Sequence, residues 1–505
     1  MYLLITLFLP LVVFLACLTA LRKSQQMAFT ASLFGAGVSL LASLAMIPEV
    51  MQNPTKLSQA TSVNWIPYPP IRFSVGVDGL SLWLIAVTTL LTVIAVVMSS
   101  GRDSMFLGWL LLLEAGIVGV FAAQDLFLFF VFFELTLLPV LFLMGQYGKD
   151  SGKATSMGAT IKFFVYTFAG SVLMLAAMTY LFLKAGTFDY QNILLQVQAG
   201  SFRLSPAEQM PLFLAFFLAF AVKTPLFPFH AWQADAYATA PSPLGIVMAG
   251  LMGKLGTYGL LRFCLPLFPN AARECAGWIN GLAILAILYG ALVAIVQPNI
   301  KRLLAFSSLS HLGFVVLGIF SFHINGLDGA AYQMVCHAVT TGALFVLAGV
   351  LEERKGSCEI SAFGGLASRT PWLATTFLIA ALASSGLPAL NNFVGEYLIL
   401  QGAAFAGFGY AAAAGIGVIL SAVYLLWMFQ RTFLGPNPDE ATADLSTQEA
   451  IAIGPLIVLM IWMGMSSGNF LPVQSAVNQK ILQQTKMNVE FRVAAPVAAE
   501  AVHGN

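Results

Sequence analysis

Charge is scarce in this sequence. Of 505 residues, 9% are Asp, Glu, Lys or Arg against 59% hydrophobic, and the mean hydropathy is +0.86. Soluble domains carry roughly a quarter of their residues as charges, so that class is excluded and a polytopic membrane protein is indicated. The 23 Lys and Arg nearly cancel the 22 Asp and Glu, leaving a net charge of +1. With no basic surplus to neutralise a phosphate backbone, nucleic acid is excluded as a partner. Cysteine is scarce too. Cys17, Cys264, Cys275, Cys336 and Cys358 form no C-x-x-C pair, which leaves neither an iron–sulfur cluster nor a zinc site a ligand set and excludes a disulfide scaffold.

What is abundant is long apolar runs. A bilayer core about 30 Å thick needs about 20 apolar residues, and fourteen runs of that size can be counted: Tyr2–Leu21, Met27–Ile47, Gly79–Ser99, Met105–Ala123, Leu126–Met144, Ala159–Leu183, Met210–Trp232, Pro243–Phe263, Trp278–Gln297, Leu303–Phe322, Ala330–Leu351, Trp372–Phe405, Tyr410–Phe433 and Ile451–Leu471. The first lacks the basic flank and small-residue cleavage site of a signal peptide. Placing both termini on the periplasmic or lumenal side makes the loops that hold Arg22, Lys23, Arg102, Lys149, Lys153, Lys301, Arg302, Arg354, Lys355, Arg369 and Arg431 internal. The opposite loops hold only Lys56, Arg72, Lys184, Arg203, Arg262 and Arg273, as the positive-inside rule favours. The tail from Pro472 to Asn505, with Lys480, Lys486 and Arg492, reads as an extramembrane partner-binding or poorly ordered segment.

Trp372–Phe405 is too long for one straight crossing, since 34 residues would run about 51 Å. A break is expected at Ser384–Asn392, where Pro388 removes a helix hydrogen bond and Asn391 and Asn392 can satisfy freed backbone groups. The seventh run has a matching interruption at Lys223–Pro228. Two broken spans five apart are the trace an inverted five-helix repeat would leave, and such breaks mark ion sites in transporters.

Ionisable groups inside a span are costly and retained mainly where they pair, meet water or carry ions. Six qualify: Glu114, Glu134, Lys162, Lys223, Lys254 and Glu396. Glu134 lies nine residues past Asp125, hence about 14 Å into the bilayer. At an effective dielectric near 20, a carboxylate about 4 Å from an ammonium contributes about 4 kcal/mol, so moving Glu134 relative to Lys223 would load and unload a proton. The alternative is a static pair that fixes helix register. The polar set continues through Ser307, Ser308, Ser310 and His311, then His337, Thr340 and Thr341, to Glu396. Its imidazoles read either as a proton relay or as hydrogen-bonded core groups, and two His without a second pair do not make a haem site. Lys162 reads equally as an interfacial anchor, and Glu114 as a lateral bridge to a neighbouring subunit.

The blocks VFFELTLLP, FAVKTPLFPFHAW, APSPLGIVMAGLMGKLGTYGLLRF, KRLLAFSSLSHLGF, HAVTTGALFVLAG and LPALNNFVGEYLIL resemble, in that order, the signature blocks of the antiporter-like membrane subunits of respiratory complex I, of the subunit M or chain 4 type. The D subunit of cyanobacterial and chloroplast NAD(P)H dehydrogenase and Mrp antiporter subunits are related to these. The resemblance implies an all-α fold of 14 transmembrane helices, with residues 1–104 as helices 1–3, 105–263 and 264–435 as two inverted five-helix repeats broken at helices 7 and 12, and 436–505 as helix 14 and a tail. It implies a proton path through Glu134, Lys223, Lys254, His311, His337 and Glu396, entering from the inner side near Lys223 and Lys254 and leaving outward by His337 and Glu396. No cofactor is then expected in this chain. NAD(P)H or another donor, FMN, iron–sulfur clusters and quinone would sit on partner subunits, among which adjacent antiporter-like subunits contact this one in a bacterial inner membrane or a thylakoid. An Mrp-type cation/proton antiporter subunit or a membrane-bound hydrogenase subunit is the alternative, and a structural membrane protein with packing charges a third. Two departures stand out: where the family reads HxWLPDAH this chain has His230 to Tyr237 as HAWQADAY, which puts a polar loop at the inner surface in question, and LPGxxGF becomes LPALNNF.

Overall fold

The computed structural model describes residues 1–152, 154–199, 201–436 and 442–490, so Lys153 and Arg492, counted above, lie outside the described residues. The chain is mostly helical, and among the described residues ten helices are long and apolar enough to cross a membrane. Ser242–Leu267 and Ile324–Lys355 are buried along their whole apolar windows, whereas Gln25–Gln52, Ser156–Ala185, Phe408–Phe433 and Thr447–Met465 present much of theirs outward. An all-round apolar helix suits either place, so packing decides which ones form the centre.

Local signals set the helix starts. Asp125 caps Leu126–Tyr147 by accepting from the Phe127 and Leu128 amides, Asn299 caps Ile300–Ile319, and Ser446 with Glu449 forms a capping box for Thr447–Met465. Leu126–Tyr147 divides at Thr136, because Pro139 offers no N–H to the carbonyl four residues back. Both expected breaks are present. Pro206–Lys223 stops before an irregular Thr224–Trp232, and Pro371–Ser384 is separated from Asn391–Ala406.

Three features depart from the sequence reading. Ser58–Ile66 and Ile71–Val77 form an antiparallel β-hairpin with Asn64 opposite Arg72, so the chain is not wholly α. β-Branched and aromatic residues favour strands in this extramembrane loop, and the hairpin is fastened by Gln124 N–H donating to Ser74 O at 2.8 Å. The tail is not loose up to residue 490: Leu471–Glu490 is a helix whose Val473, Val477 and Ile481 are buried at intervals of four, while Ser475 and Asn478 donate to Asp328. Residues 491–505 lie outside the described residues. Arg262, counted as a loop cation, is buried within Ser242–Leu267, and its Nη2 lies 2.6 Å from both Asp78 carboxylate oxygens.

The hairpin, Tyr190–Gln198 and Leu471–Glu490 cover one end of the bundle. The opposite end gathers cations that were assigned to the inner side: Lys301 pairs with Glu352, Arg302 with Asp235 and Arg354 with Glu449, each within 2.8 Å.

Removing one partner of a buried ion pair strands the other and costs about 3–5 kcal/mol. Asp78→Asn is therefore expected to lower the heat-aggregation midpoint of the detergent-purified protein sharply, and adding Arg262→Leu to recover most of the loss. A double variant as unstable as the single one would count against the pair as the cause.

Candidate functional site

The six expected residues fall into two groups. Lys254, His337, His311 and Glu396 form a continuous row. The Lys254 ammonium is 2.6 Å from His337 Nδ1 and donates to Ala249 O at 3.1 Å. The His337 and His311 ring centroids are 5.5 Å apart, and His311 Nδ1 is 3.0 Å from Glu396 Oε1, too oblique for a hydrogen bond. All four are buried. Thr341 lies at hydrogen-bond distance from the His337 ring, Ser384 Oγ is 3.4 Å from His311 Nε2, and Gln333 donates to Glu396 at 3.4 Å. Hydroxyls, imidazoles and a carboxylate from four helices thus lie side by side, the groups from which a proton relay can be built.

Local sequence builds this row. Ser242–Leu267 contains two stretches of π-helix, Met248–Met252 and Leu260–Cys264, on either side of Gly253–Gly259, which carries Lys254. Wide turns of this kind free backbone groups and are frequent at functional sites. One freed carbonyl, that of Ala249, takes the Lys254 ammonium. At the second break Gly386 has φ +75, and a Cβ there would stand 2.6 Å from Glu396 Oε2. Glycine is needed on both counts. In the altered LPALNNF motif the Thr340 hydroxyl lies 3.2 Å from the side-chain oxygens of Asn391 and Asn392, and the Asn391 amide donates to Cys336 O.

Glu134 and Lys223 form the second group, and here the expected close pairing is absent. Lys223 donates to Thr136 Oγ1 at 3.0 Å and lies 4.8 Å from the Phe133 ring centre; no carboxylate of the described residues is within 4.0 Å of it. The reason is rotational. Phe133 and Thr136 belong to the inward stripe of their helix, whereas Glu134, a turn of about 100° from Phe133, lies on the half-buried stripe. Its Oε1 has no partner among the described residues, and Ser171 is the hydroxyl beside its carboxylate. The apolar run around Glu134 carries no periodicity from which this phase could be read.

Glu114 is fully buried, and neither of its carboxylate oxygens has a partner among the described residues. Lys162 is 2.8 Å from Asp235, which also accepts from Arg302 at 2.7 Å. The HAWQADAY segment therefore does keep a polar cluster at this end of the bundle. Burial raises the Asp235 carboxyl, but the Lys162 ammonium and the Arg302 guanidinium outweigh it and hold the group below the ordinary carboxylate range.

A carboxyl held low stabilises the fold above its unfolded value, and the contribution is lost as pH falls through the folded one. Asp235→Asn should therefore lower the thermal midpoint at pH 7, with the deficit against the parent chain shrinking as pH falls below about 4. A deficit that persists unchanged into acid would remove the pairing as its source.

The family model described as "NADH:quinone oxidoreductase/Mrp antiporter, TM" matches residues 123–423. NADH-quinone oxidoreductase subunit M of Rickettsia prowazekii is 37% identical over 479 residues, covering 93% of this chain and 96% of the relative. The protein of the same name from Pseudomonas aeruginosa is 41% identical over 427 residues, covering 82% and 83%. A chain of respiratory complex I from Thermus thermophilus superposes with a TM-score of 0.88 at 34% identity, covering 96% of this chain and all of that one.

Proposed function

The chain belongs to the NADH:quinone oxidoreductase/Mrp antiporter transmembrane family, and from that premise we propose that Glu134, Lys223, Lys254, His337, His311 and Glu396 are its proton path. It is a proton-translocating membrane subunit of an NADH:quinone oxidoreductase and sits among other antiporter-like membrane subunits. The observation that carries the assignment of residues is the buried Lys254–His337–His311–Glu396 row, whose neighbouring members stand 2.6 Å, 5.5 Å between ring centres and 3.0 Å apart.

In this reading a proton held by Lys254 passes to His337 Nδ1 across 2.6 Å, and on through His311 to Glu396. Lys223, held by the Thr136 hydroxyl, supplies the first group at the inner half, and Glu134 sets its electrostatic surroundings. Because Glu134 lies on a half-buried stripe beside the exposed Leu138, an adjacent subunit would complete its environment and could drive the row by approaching or withdrawing. Electron transfer from NADH or another donor through FMN, iron–sulfur clusters and quinone is assigned to partner subunits.

The same reading assigns fourteen crossings. Besides the ten long helices these are Tyr2–Leu18, Leu82–Val97, Pro206–Lys223 and the broken pair Pro371–Ser384 with Asn391–Ala406. Residues 105–263 and 264–435 form the two inverted repeats, each with one break, residues 1–104 and 436–505 flank them, and both termini lie on the outer side of a bacterial inner membrane.

Lys254→Met and Lys223→Ala are each expected to abolish proton pumping by the assembled complex in proteoliposomes, read by a pH-sensitive dye during quinone reduction. Normal pumping with normal assembly would remove that lysine from the path. Copurification with flavin and iron–sulfur subunits supports the oxidoreductase assignment, whereas sodium-dependent exchange without them would sink it.

A further inference from the structure

A groove of about 530 Å³ enters the side of the bundle between Gln25–Gln52, Leu82–Val97, Ile324–Lys355 and Thr447–Met465. Leu40, Leu44, Leu90 and Leu459 form its walls, and Val335 and Val339 its floor. That volume is within the range of about 300–1,000 Å³ that holds a small ligand. The polar groups lining it stand at one end, where Trp83, Trp462 and Asn469 meet and the Trp83 indole donates to Phe470 O at 3.3 Å. The rest is apolar, so the lining has the profile of an amphiphile whose polar end lies at the level of an aromatic belt. The groove also opens onto a lipid-facing surface: Leu41 is 67% exposed and Val458 62%, on the two helices that form its rim.

We propose that this groove holds one acyl chain of a bilayer phospholipid, with the headgroup at Trp83, Trp462 and Asn469. The chain then rests against Val335 and Val339, which are two residues, or about 200°, from His337 on the same helix. It packs the back of the helix whose front carries the His337 imidazole. The bound lipid is thus part of what fixes the Lys254–His337 approach, and the groove is a place where bilayer composition acts on this subunit.

The test uses the assembled complex in phosphatidylethanolamine–phosphatidylglycerol vesicles that contain a phospholipid with a diazirine at the end of one acyl chain. After illumination, label is expected on Val335, Val339 or Leu90 as well as on Leu41 and Val458. Ala86→Phe, which fills the groove, should remove label from the first three and keep it on the last two. Moving the diazirine to the carbonyl end of the chain should shift the deep label to Trp83 and Trp462, a result that needs no variant. Absence of label from Val335 and Val339 in the parent chain, label that survives Ala86→Phe, or a neighbouring polypeptide crosslinked there instead would each overturn the proposal.

Discussion

An ionised group in hydrocarbon must have its charge answered nearby, and the arrangement of this molecule follows from how each buried charge is answered. Arg262 meets Asp78, Lys301 meets Glu352 and Arg354 meets Glu449, all at 2.8 Å or less. These pairs cancel. Each joins segments far apart in the chain near an end of the bundle, and once formed has no reason to change. Lys254 is different, because its close partners are a neutral carbonyl and an imidazole nitrogen. The nearest carboxylate along the row is that of Glu396, beyond two imidazoles. A charge answered at that distance is stable in more than one position along the row. That separates the row proposed to conduct from the structural pairs more sharply than burial does, since both kinds are buried.

The same constraint governs the backbone. A helix interrupted inside a membrane leaves carbonyls and amides that only protein or trapped water can satisfy. At the second interruption the Ser385, Gly386, Leu387 and Leu390 amides turn back onto nearby carbonyls and the Ser385 hydroxyl donates to Leu382 O, while beside it Ser384 approaches His311 and Asn391 and Asn392 meet Thr340. Along Ser242–Leu267 the chain stays helical but widens twice, which frees a carbonyl for Lys254 without breaking the span. Polar backbone and titratable side chains occur together because each lowers the cost of the other.

Both breaks were legible in the sequence, since proline and the Ser-Ser-Gly and Asn-Asn neighbours state them directly, and so were five of the six site residues as buried groups. What could not be read was rotation. FFVFFELTLLPVLF is apolar on every side, so it gives no phase, and the half-buried position of Glu134 emerges only from packing. The π turns are hidden in a run of glycines whose freedom allows them but does not demand them. Arg262 was placed in a loop because it stands near the end of its apolar run, and its partner Asp78 is 184 residues away, beyond any local pattern. The helix Leu471–Glu490 was masked by the Ala-rich composition after it, although Val473, Val477 and Ile481 already mark one face.

The half-buried position of Glu134, off the stripe that faces Lys223, changes what the single chain can do. Lys223 is held by a hydroxyl and two aromatic rings, none of which carries a charge to offset its own. Its counter-charge is a carboxylate on a different stripe of the neighbouring helix, with one oxygen unpartnered. Any cation or hydrogen-bond donor that an adjacent subunit brings to Glu134 therefore weakens the field at Lys223, and any withdrawal restores it. Lys254, by contrast, is enclosed on all sides by this chain's own helices. In the proposed path the Glu134–Lys223 group is thus the part nearer the surface of the chain, while the Lys254 row is enclosed. Under the proposal, that asymmetry would let a neighbour act on Lys223 through Glu134 without reaching Lys254.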